Sequence, residues 1–314
     1  MGRLKSFPGV DSWREQYFEN QPVPDNVVIP IDDAAAWQLY PHHRWVYNKL
    51  LICETQGLQH GPHGTLPPRY PVFSKPIYNI RGMGTGGHVV HDEVEYLAAI
   101  QPGYLWMTLF RGPHVSTDVA LEGGVPRWWR HTEGVPGQLE GTFDYWTVRA
   151  AADPVLEGYL GNWVGNHLKG FTGIVNLETI GGRILECHLR MAEQWQDLNG
   201  PGWLAAVVRL YDEGVWQFSV PPREGYSVVL FGAHQIRWSV DRSAVKRLLG
   251  RPDVSSIQIT FEDEIAPARY AMPPGGFRLA IINCWDLAAG VALREELKGV
   301  FVGNDGAGGT KSVA

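Results

Sequence analysis

The sequence has few cysteines, no long apolar run and no excess of basic charge. Its three cysteines, Cys53, Cys187 and Cys284, are far apart, so they predict neither a closed disulfide framework nor a zinc site with paired ligands. A reducing cytoplasm is therefore the expected compartment. No apolar stretch is long enough to cross a bilayer, and the first residues lack the apolar segment of a secretory signal, so no membrane partner is expected.

Charge of either sign is modest, with 27 basic and 33 acidic residues interspersed along the chain. A net charge of −6 gives no bulk attraction for a phosphate backbone, so nucleic acid is not an expected partner. The sequence also shows no nucleophile elbow, no zinc-type cluster and no internal repeat of solenoid type. The sequence therefore does not indicate a hydrolase with a covalent intermediate or a repeat protein.

Apolar side chains and glycine are plentiful. A chain of 314 residues with 44% hydrophobic side chains can bury a sizeable core and form more than one lobe. Hydrophobic periodicity predicts a helix at 153–168, another across 45–55, a short strand at 26–31 and antiparallel strands from 103 onward. We divide the chain into a reduced N-terminal segment (1–44), a core (45–200), a C-terminal α/β lobe (201–302) and a disordered tail (303–314).

A glycine-rich segment follows the strand predicted at 70–75. Gly82-x-Gly84-x-x-Gly87 matches the dinucleotide fingerprint in form, but Lys75 and Pro76 separate it from its strand, which argues against a Rossmann unit. A loop whose backbone N–H groups fold over a polyphosphate, with Lys75 as a point charge, fits better. A plain glycine-rich turn is the alternative.

Polar side chains cluster in a hairpin predicted at 173–190. If residue 176 lies opposite 186 and residue 178 opposite 184, then Asn176, Glu178, Glu186, His188 and Arg190 share one face. Oxygen ligands from two acids suit Mg²⁺, and Arg190 suits a phosphate oxygen. Two alternatives stay open: a solvent-facing polar side of a hairpin, and an even-length turn that places the two glutamates on opposite faces.

These residues resemble those of the ATP-grasp superfamily over roughly 45–200. The likeness lies in three segments that follow the family's order: Asn48-Lys49-Leu50-Leu51 before Gln56-Gly57, Tyr70-Pro71-Val72-Phe73-Ser74-Lys75-Pro76 with its glycine loop, and Leu185-Glu186-Cys187-His188-Leu189-Arg190. The resemblance implies an α+β fold. Its ATP-grasp core would consist of two α/β lobes that hold a nucleotide between them, with a shortened N-terminal segment and an added C-terminal lobe.

The resemblance also implies nucleotide contacts. Lys49 and Lys75 would contact ATP. The loop that closes over the triphosphate would comprise Gly82, Gly84, Thr85 and Gly86, and the hinge strand whose backbone meets adenine would comprise Met107, Thr108 and Leu109. Many family members have an acidic residue in the hinge where this chain offers Met107.

A Glu-x-Asn-x-Arg motif supplies metal ligands and a phosphate contact in the family. Glu186, His188 and Arg190 fall on its positions, so His188 stands where the family has Asn. Glu178 would be the preceding metal ligand, or Asn176 in its place. Imidazole is a poorer ligand for Mg²⁺ than an amide oxygen, which makes this position a departure from the family.

The implied activity is an ADP-forming, ATP-dependent carboxylate–amine ligase with ATP and Mg²⁺ as cofactors. Lys75 and Arg190 would stabilise charge on the moving phosphoryl group. The partners would be a small carboxylate and an amine, and a homodimer is permitted. Alternatives are a nucleotide-binding regulatory protein without turnover and a phosphotransferase that uses the same cleft; a dinucleotide oxidoreductase is the least favoured.

Overall fold

The computed structural model describes residues 6–9, 12–80, 82–304, 310–311 and 313. The helices in this part are α1 (Asp33–Leu39), α2 (Lys49–Glu54), α3 (Glu93–Ala98), α4 (Pro154–His167), α5 (Trp203–Glu213), α6 (Arg242–Leu249) and α7 (Leu287–Lys298). The strands are β1 (His60–Pro62), β2 (Val72–Pro76), β3 (His88–Val90), β4 (Tyr104–Thr108), β5 (His114–Glu122), β6 (Val125–Pro136), β7 (Phe143–Val148), β8 (Gly173–Ile180), β9 (Arg183–His188), β10 (Gly225–Gly232), β11 (Arg237–Val240), β12 (Val254–Ile259), β13 (Phe277–Cys284), β14 (Phe301–Asn304) and β15 (Thr310–Lys311). None of these helices is both long and apolar enough to span a membrane.

A small antiparallel sheet in the order β1-β4-β2-β3 forms one lobe. The strand predicted at 70–75 is β2, and it carries Lys75 near its end. Helix α2 joins this lobe to the rest of the protein. At its start, the Lys49 N–H donates to the Ile77 carbonyl next to β2. Just beyond its end, the side-chain amide of Gln56 bonds both the N–H and the carbonyl of Ile184 on β9. The first sheet and the strand β9 are thereby held next to one another.

A larger sheet of eight antiparallel strands runs in the order β12-β13-β10-β7-β6-β5-β8-β9. Strands β8 and β9, the predicted hairpin, lie at one edge, whereas β10, β12 and β13 from the C-terminal third occupy the other side. The sheet therefore continues across the division that we drew at residue 200. Helix α7 packs on β10 and β13.

Helix α4 shows why the sequence folds as it does here. Asp153 caps the helix by accepting from the Leu156 N–H at 3.0 Å, and Pro154 occupies the first turn, where its missing N–H costs no hydrogen bond. Leu156, Leu160, Trp163 and Val164 recur at helical spacing and are buried against the larger sheet. The helix predicted at 153–168 is confirmed.

Several local predictions need correction. Residues 26–31 bury apolar side chains as expected but form no strand, because the segment meets the rest of the chain through isolated backbone bonds such as Ile29 N–H to the Ser6 carbonyl. The helix predicted across 45–55 is a 3₁₀ turn followed by α2, since Asn48 caps α2 through the Leu50 N–H. Residues 305–309, 312 and 314 of the predicted tail lie outside the described part, while 303–304 and 310–311 lie in strands.

Candidate functional site

A cavity of about 1460 Å³ lies between the four-stranded and the eight-stranded sheet. The glycine loop between β2 and β3 forms one side, and strands β5, β8 and β9 form the opposite side. The far end is built from Arg14, the start of α1, residues 190–195 and residues 265–278. Sites for single small ligands usually occupy about 300–1,000 Å³, so this cavity has room for a nucleotide and a second small molecule.

The hairpin β8–β9 places the predicted polar residues on the cavity face. Asn176 lies opposite His188, and Glu178 lies opposite Glu186. The pairing predicted from the sequence is therefore wrong by two residues, although the shared face is correct. All four side chains line the cavity, as does Arg190 just beyond β9.

A β-bulge explains how the two glutamates share a face. At the turn Ile180 pairs with Arg183, which is the even-length arrangement that alone would have separated the glutamates. The pairing then shifts by one, and Leu185 is the extra residue between the pairs on either side. One added residue on one strand reverses the alternation and restores the common face.

Two buried lysines approach Glu186. The Nζ atoms of Lys49 and Lys75 lie 3.5 and 3.8 Å from Glu186 Oε1, and Lys75 Nζ donates to the Leu185 carbonyl at 3.1 Å. Burial lowers the pKa of Lys75 to about 8, against the opposing effect of Glu186 and with the help of Lys49. Two ammonium groups thus share one carboxylate, which leaves positive charge for an anionic ligand.

Glu178 and Glu186 also flank His188. Glu178 bonds His114 Nε2 through Oε2 at 3.2 Å and points Oε1 toward His188 Nε2 at 3.6 Å, while Glu186 Oε2 lies 3.7 Å from the same nitrogen. His188 Nε2 is buried and has no hydrogen-bond partner among the described residues. Burial would raise the pKa of Glu178, but His114 and His188 lower it well below its usual range.

Asp33 at the start of α1 orients this group. Its Oδ2 atom lies 3.0 Å from both His188 Nδ1 and Arg190 Nη2, and its Oδ1 accepts from the Tyr47 hydroxyl at 3.1 Å. Burial would raise the pKa of Asp33, but Arg190 and His188 lower it well below its usual range. Burial would lower the pKa of His188, yet Asp33 raises it to about 9.

Asp33 is a site residue that the sequence does not predict. In the sequence, Asp32 and Asp33 together are typical of the capped start of a helix, so neither stands out as a site residue. Only Asp32 caps α1, by accepting from the Ala35 N–H at 2.8 Å. The only sign in the sequence is that Asp33 is a second acid beside Asp32 that the helix cap does not need. Nothing in the sequence indicates that Asp33 contacts His188 and Arg190.

A second charged group was missed entirely. Glu193 bridges Arg14 and Arg278, with Oε2 at 2.6 Å from Arg14 Nη2 and Oε1 at 2.5 Å from Arg278 Nη1. The Trp13 ring lies against both guanidinium groups, 5.5 and 5.1 Å from its centroid. Burial would raise the pKa of Glu193, but the two arginines lower it to about 2.

Asn176 is used by a buried network behind the cavity wall. Its amide donates to Ser116 Oγ at 2.8 Å and to Asp118 Oδ1 at 2.9 Å, and Asp118 also accepts from the Ala192 N–H. Burial raises the pKa of Asp118 to about 6 in spite of these donors. The Oδ1 of Asn176, the atom that would bind a metal, accepts from Ser116 Oγ at 3.2 Å, so Asn176 is less suited than Glu178 to act as a metal ligand.

The glycine-rich segment predicted after the strand β2 lines one side of the cavity. Gly82, Gly84 and Gly86 have positive φ values of 71°, 62° and 80°, a conformation that favours glycine. All three line the cavity, whereas Thr85 is exposed and does not. Arg81 lies outside the described residues.

No protein-family model and no curated protein sequence matches the chain. Solved structures do. An L-amino acid ligase from Bacillus licheniformis is 14% identical with a TM-score of 0.59, over 92% of this chain and 82% of that one. N5-carboxyaminoimidazole ribonucleotide synthetase from Thermus thermophilus is 14% identical with a TM-score of 0.58, over 87% and 82%.

Phosphoribosylglycinamide synthetase from Anaerococcus prevotii is 8% identical with a TM-score of 0.59, over 95% of this chain and 88% of that one. Together with the two lobes and the cavity between them, these similarities decide the architecture. The chain has the ATP-grasp fold. At such low sequence identity the structural similarity establishes the fold and does not establish the reaction.

The predicted ATP-grasp metal site does not fit these side chains. Glu178 and Glu186 offer oxygens of the kind Mg²⁺ prefers, but the third position holds an imidazole whose Nδ1 is paired with Asp33 and whose raised pKa favours a proton on Nε2. Within the described residues no three His, Cys, Asp or Glu side chains form a group that could hold a metal ion. The charged groups available for catalysis in this structure are therefore the chain's own side chains.

The ATP-grasp hinge is also less favourable than predicted. Met107 is buried in the middle of the small sheet, with β4 paired to β1 on one side and to β2 on the other. Thr108 and Leu109 line a separate pocket of about 320 Å³ near Tyr70. Met107 and Thr108 lie in this central strand, which has little free backbone to offer adenine. Met107, Thr108 and Leu109 do not line the main cavity.

Proposed function

We propose that the protein is an ATP-dependent ligase that activates a small carboxylate as an acyl phosphate and joins it to an amine. The observation that carries this proposal is the pair Lys49 and Lys75, two buried ammonium groups beside Glu186, at a cavity roofed by the glycine loop. Buried positive charge without full compensation is costly unless an anion binds there. A triphosphate has the charge and the length to engage both the lysines and the loop.

The chain's own groups would act by position and charge. A carboxylate oxygen of the substrate attacks the γ-phosphorus, the bond from that phosphorus to the ADP oxygen breaks, and ADP leaves. The amine nitrogen then attacks the acyl carbon, phosphate leaves and the amine loses a proton. Lys75 and Arg190 would stabilise the transferring phosphoryl group. Asp33 would position Arg190 and His188 through its two 3.0 Å contacts.

A direct test is ATP turnover in a screen of acids and amines, read as ADP release that requires both substrates. Lys75→Ala should lower ATP affinity by about 10–150-fold, the range expected for losing a hydrogen bond to a charged group. Lys246→Ala is the matched control, since Lys246 is exposed on α6 and does not line the cavity. Equal ATP affinity in wild type and Lys75→Ala would refute the assigned role.

A regulatory protein that binds nucleotide without turnover is the second candidate. The histidine in the metal motif and the absence of a ready metal group in the described residues favour it. ATP binding that never yields ADP with any acid and amine would support this candidate over the ligase. A stable phosphorylated alcohol as product would instead support the phosphotransferase.

A further inference from the structure

The two glutamates of the hairpin have all four carboxylate oxygens directed at nitrogens of the chain itself. Glu178 Oε2 bonds His114 Nε2 at 3.2 Å, and Glu178 Oε1 lies 3.6 Å from His188 Nε2. Glu186 Oε2 lies 3.7 Å from the same His188 nitrogen, and Glu186 Oε1 lies 3.5 and 3.8 Å from the Nζ atoms of Lys49 and Lys75. Side-chain nitrogens therefore contact every oxygen that these two acids could offer to a metal ion.

His188 is fixed in its place beside both glutamates. Its Nδ1 lies 3.0 Å from Asp33 Oδ2, and Asp33 in turn accepts from Arg190 Nη2 at 3.0 Å and from the Tyr47 hydroxyl at 3.1 Å. The His188 side chain is 5% exposed. Rotation of the buried ring away from the glutamates would break its contact with Asp33, so Nε2 keeps facing Glu178 and Glu186.

This arrangement suits Mg²⁺ poorly. Mg²⁺ demands near-octahedral coordination by oxygen and gives up its waters reluctantly. Glu178 Oε1 and Glu186 Oε2 both face His188 Nε2, so an ion bound to both oxygens would have to approach an imidazole, which Mg²⁺ does not favour. The hairpin thus presents a ring nitrogen where a bridging Mg²⁺ would require oxygen or water.

The charged side chains that these contacts join balance one another without a metal ion. The carboxylates are those of Asp33, Glu178 and Glu186, and the ammonium and guanidinium groups are those of Lys49, Lys75 and Arg190. Any charge on the two imidazoles would add to the positive side. A bound cation usually supplies the largest local charge at a phosphate site, and here the chain supplies the counter-charge of its acids itself.

We propose that this site binds ATP as the free anion, with no metal ion between Glu178 and Glu186. His188, positioned by Asp33, lies beside the two carboxylates in place of the ion, and the chain's own cations face the phosphates. The inference rests on the nucleotide site of the proposed function and specifies the form of the nucleotide that this site accepts. It also gives Asp33 a purpose, which is to keep His188 turned toward the glutamates.

The test is titration calorimetry of the full chain with ATP, first in EDTA and then in excess MgCl₂. Wild type should bind ATP in EDTA at least as tightly as in MgCl₂, because no bound metal is required. Binding that is tighter in MgCl₂ than in EDTA would overturn the inference and leave the proposed ligase standing. Absence of ATP binding in both buffers would contradict the proposed function and the inference together.

His188→Asn tests the part played by the imidazole. The amide oxygen is a ligand that Mg²⁺ prefers, so this variant should bind ATP roughly 10-fold more tightly in MgCl₂ than in EDTA, in line with the effect of one supporting group at a metal site. His91→Asn is the matched control and should behave as wild type, since His91 is 67% exposed and does not line the cavity. Circular dichroism verifies folding, and a folded His188→Asn whose ATP affinity is indifferent to MgCl₂ would refute the place given to His188.

Discussion

Replacement of Glu193 by Gln should destabilise the protein strongly at neutral pH, although the side chain keeps its size. The carboxylate is 12% exposed and bridges Arg14 and Arg278 at 2.6 and 2.5 Å. The amide of the introduced glutamine carries no charge, so the guanidinium groups of Arg14 and Arg278 stay buried without the carboxylate that pairs with both. Breaking a buried ion pair by removing one partner typically costs about 3–5 kcal/mol.

The lowered pKa of Glu193 gives an independent value for the stability that its charge contributes. Its folded-state pKa is about 2, against an ordinary 4.5, and a difference of that size corresponds to about 3.4 kcal/mol of stability at pH 7. Because the folded pKa is the lower one, the unfolded chain binds more protons between pH 4.5 and pH 2. The stabilisation is therefore complete above about pH 4.5 and is lost as the pH falls toward 2.

The assay is urea unfolding followed by tryptophan fluorescence at several pH values, for wild type and Glu193→Gln. The difference in unfolding free energy should be about 3 kcal/mol at pH 7 and should shrink steadily below pH 4.5. Glu213→Gln is the control, since Glu213 is 57% exposed in its pair with Arg209, and it should change stability by less than about 0.5 kcal/mol. A Glu193→Gln effect as small as this control, or one independent of pH between 2 and 7, would refute the reasoning.

Further expectations concern the backbone and the thiols. Gly181→Ala should destabilise by about 1–3 kcal/mol in urea unfolding, because Gly181 has a φ of 57° and an added Cβ would collide with the Arg111 carbonyl oxygen. Gly158→Ala, in the interior of α4 with open space around it, should stabilise by about 0.8–1 kcal/mol, and a loss of stability there would be unexpected. Burial raises the pKa of all three thiols, which are Cys53, Cys187 and Cys284. The native protein should therefore not react with a disulfide reagent at pH 8, whereas three thiols per chain should react after unfolding in urea.

Features that depend on neighbouring residues were predictable from the sequence. Helix α4 is predicted by Asp153, Pro154 and apolar residues at helical spacing, and alternation along β8 places Asn176 and Glu178 on one face. The ATP-grasp resemblance supplied the order of these parts, and the fold confirms it.

Features that depend on distant residues were not predictable. Arg14, Glu193 and Arg278 meet across most of the chain, and no pattern near any of them names the other two. Asp33 reaches His188 from 155 residues away. The extra residue at Leu185 fixes the register of the hairpin, yet Leu185 looks like any other strand residue in the sequence. Pairings of this kind arise from tertiary packing.

The most direct test of the central claim is thermal melting of wild type and Lys75→Ala, each with and without ATP and Mg²⁺. A ligand that binds only the folded state adds about 2.7 kcal/mol of stability at a hundred times its Kd. If Lys49 and Lys75 bind the triphosphate, ATP should clearly raise the melting temperature of wild type and raise that of Lys75→Ala little or not at all. No rise in wild type, or an equal rise in both proteins, would contradict a nucleotide site at Lys49 and Lys75.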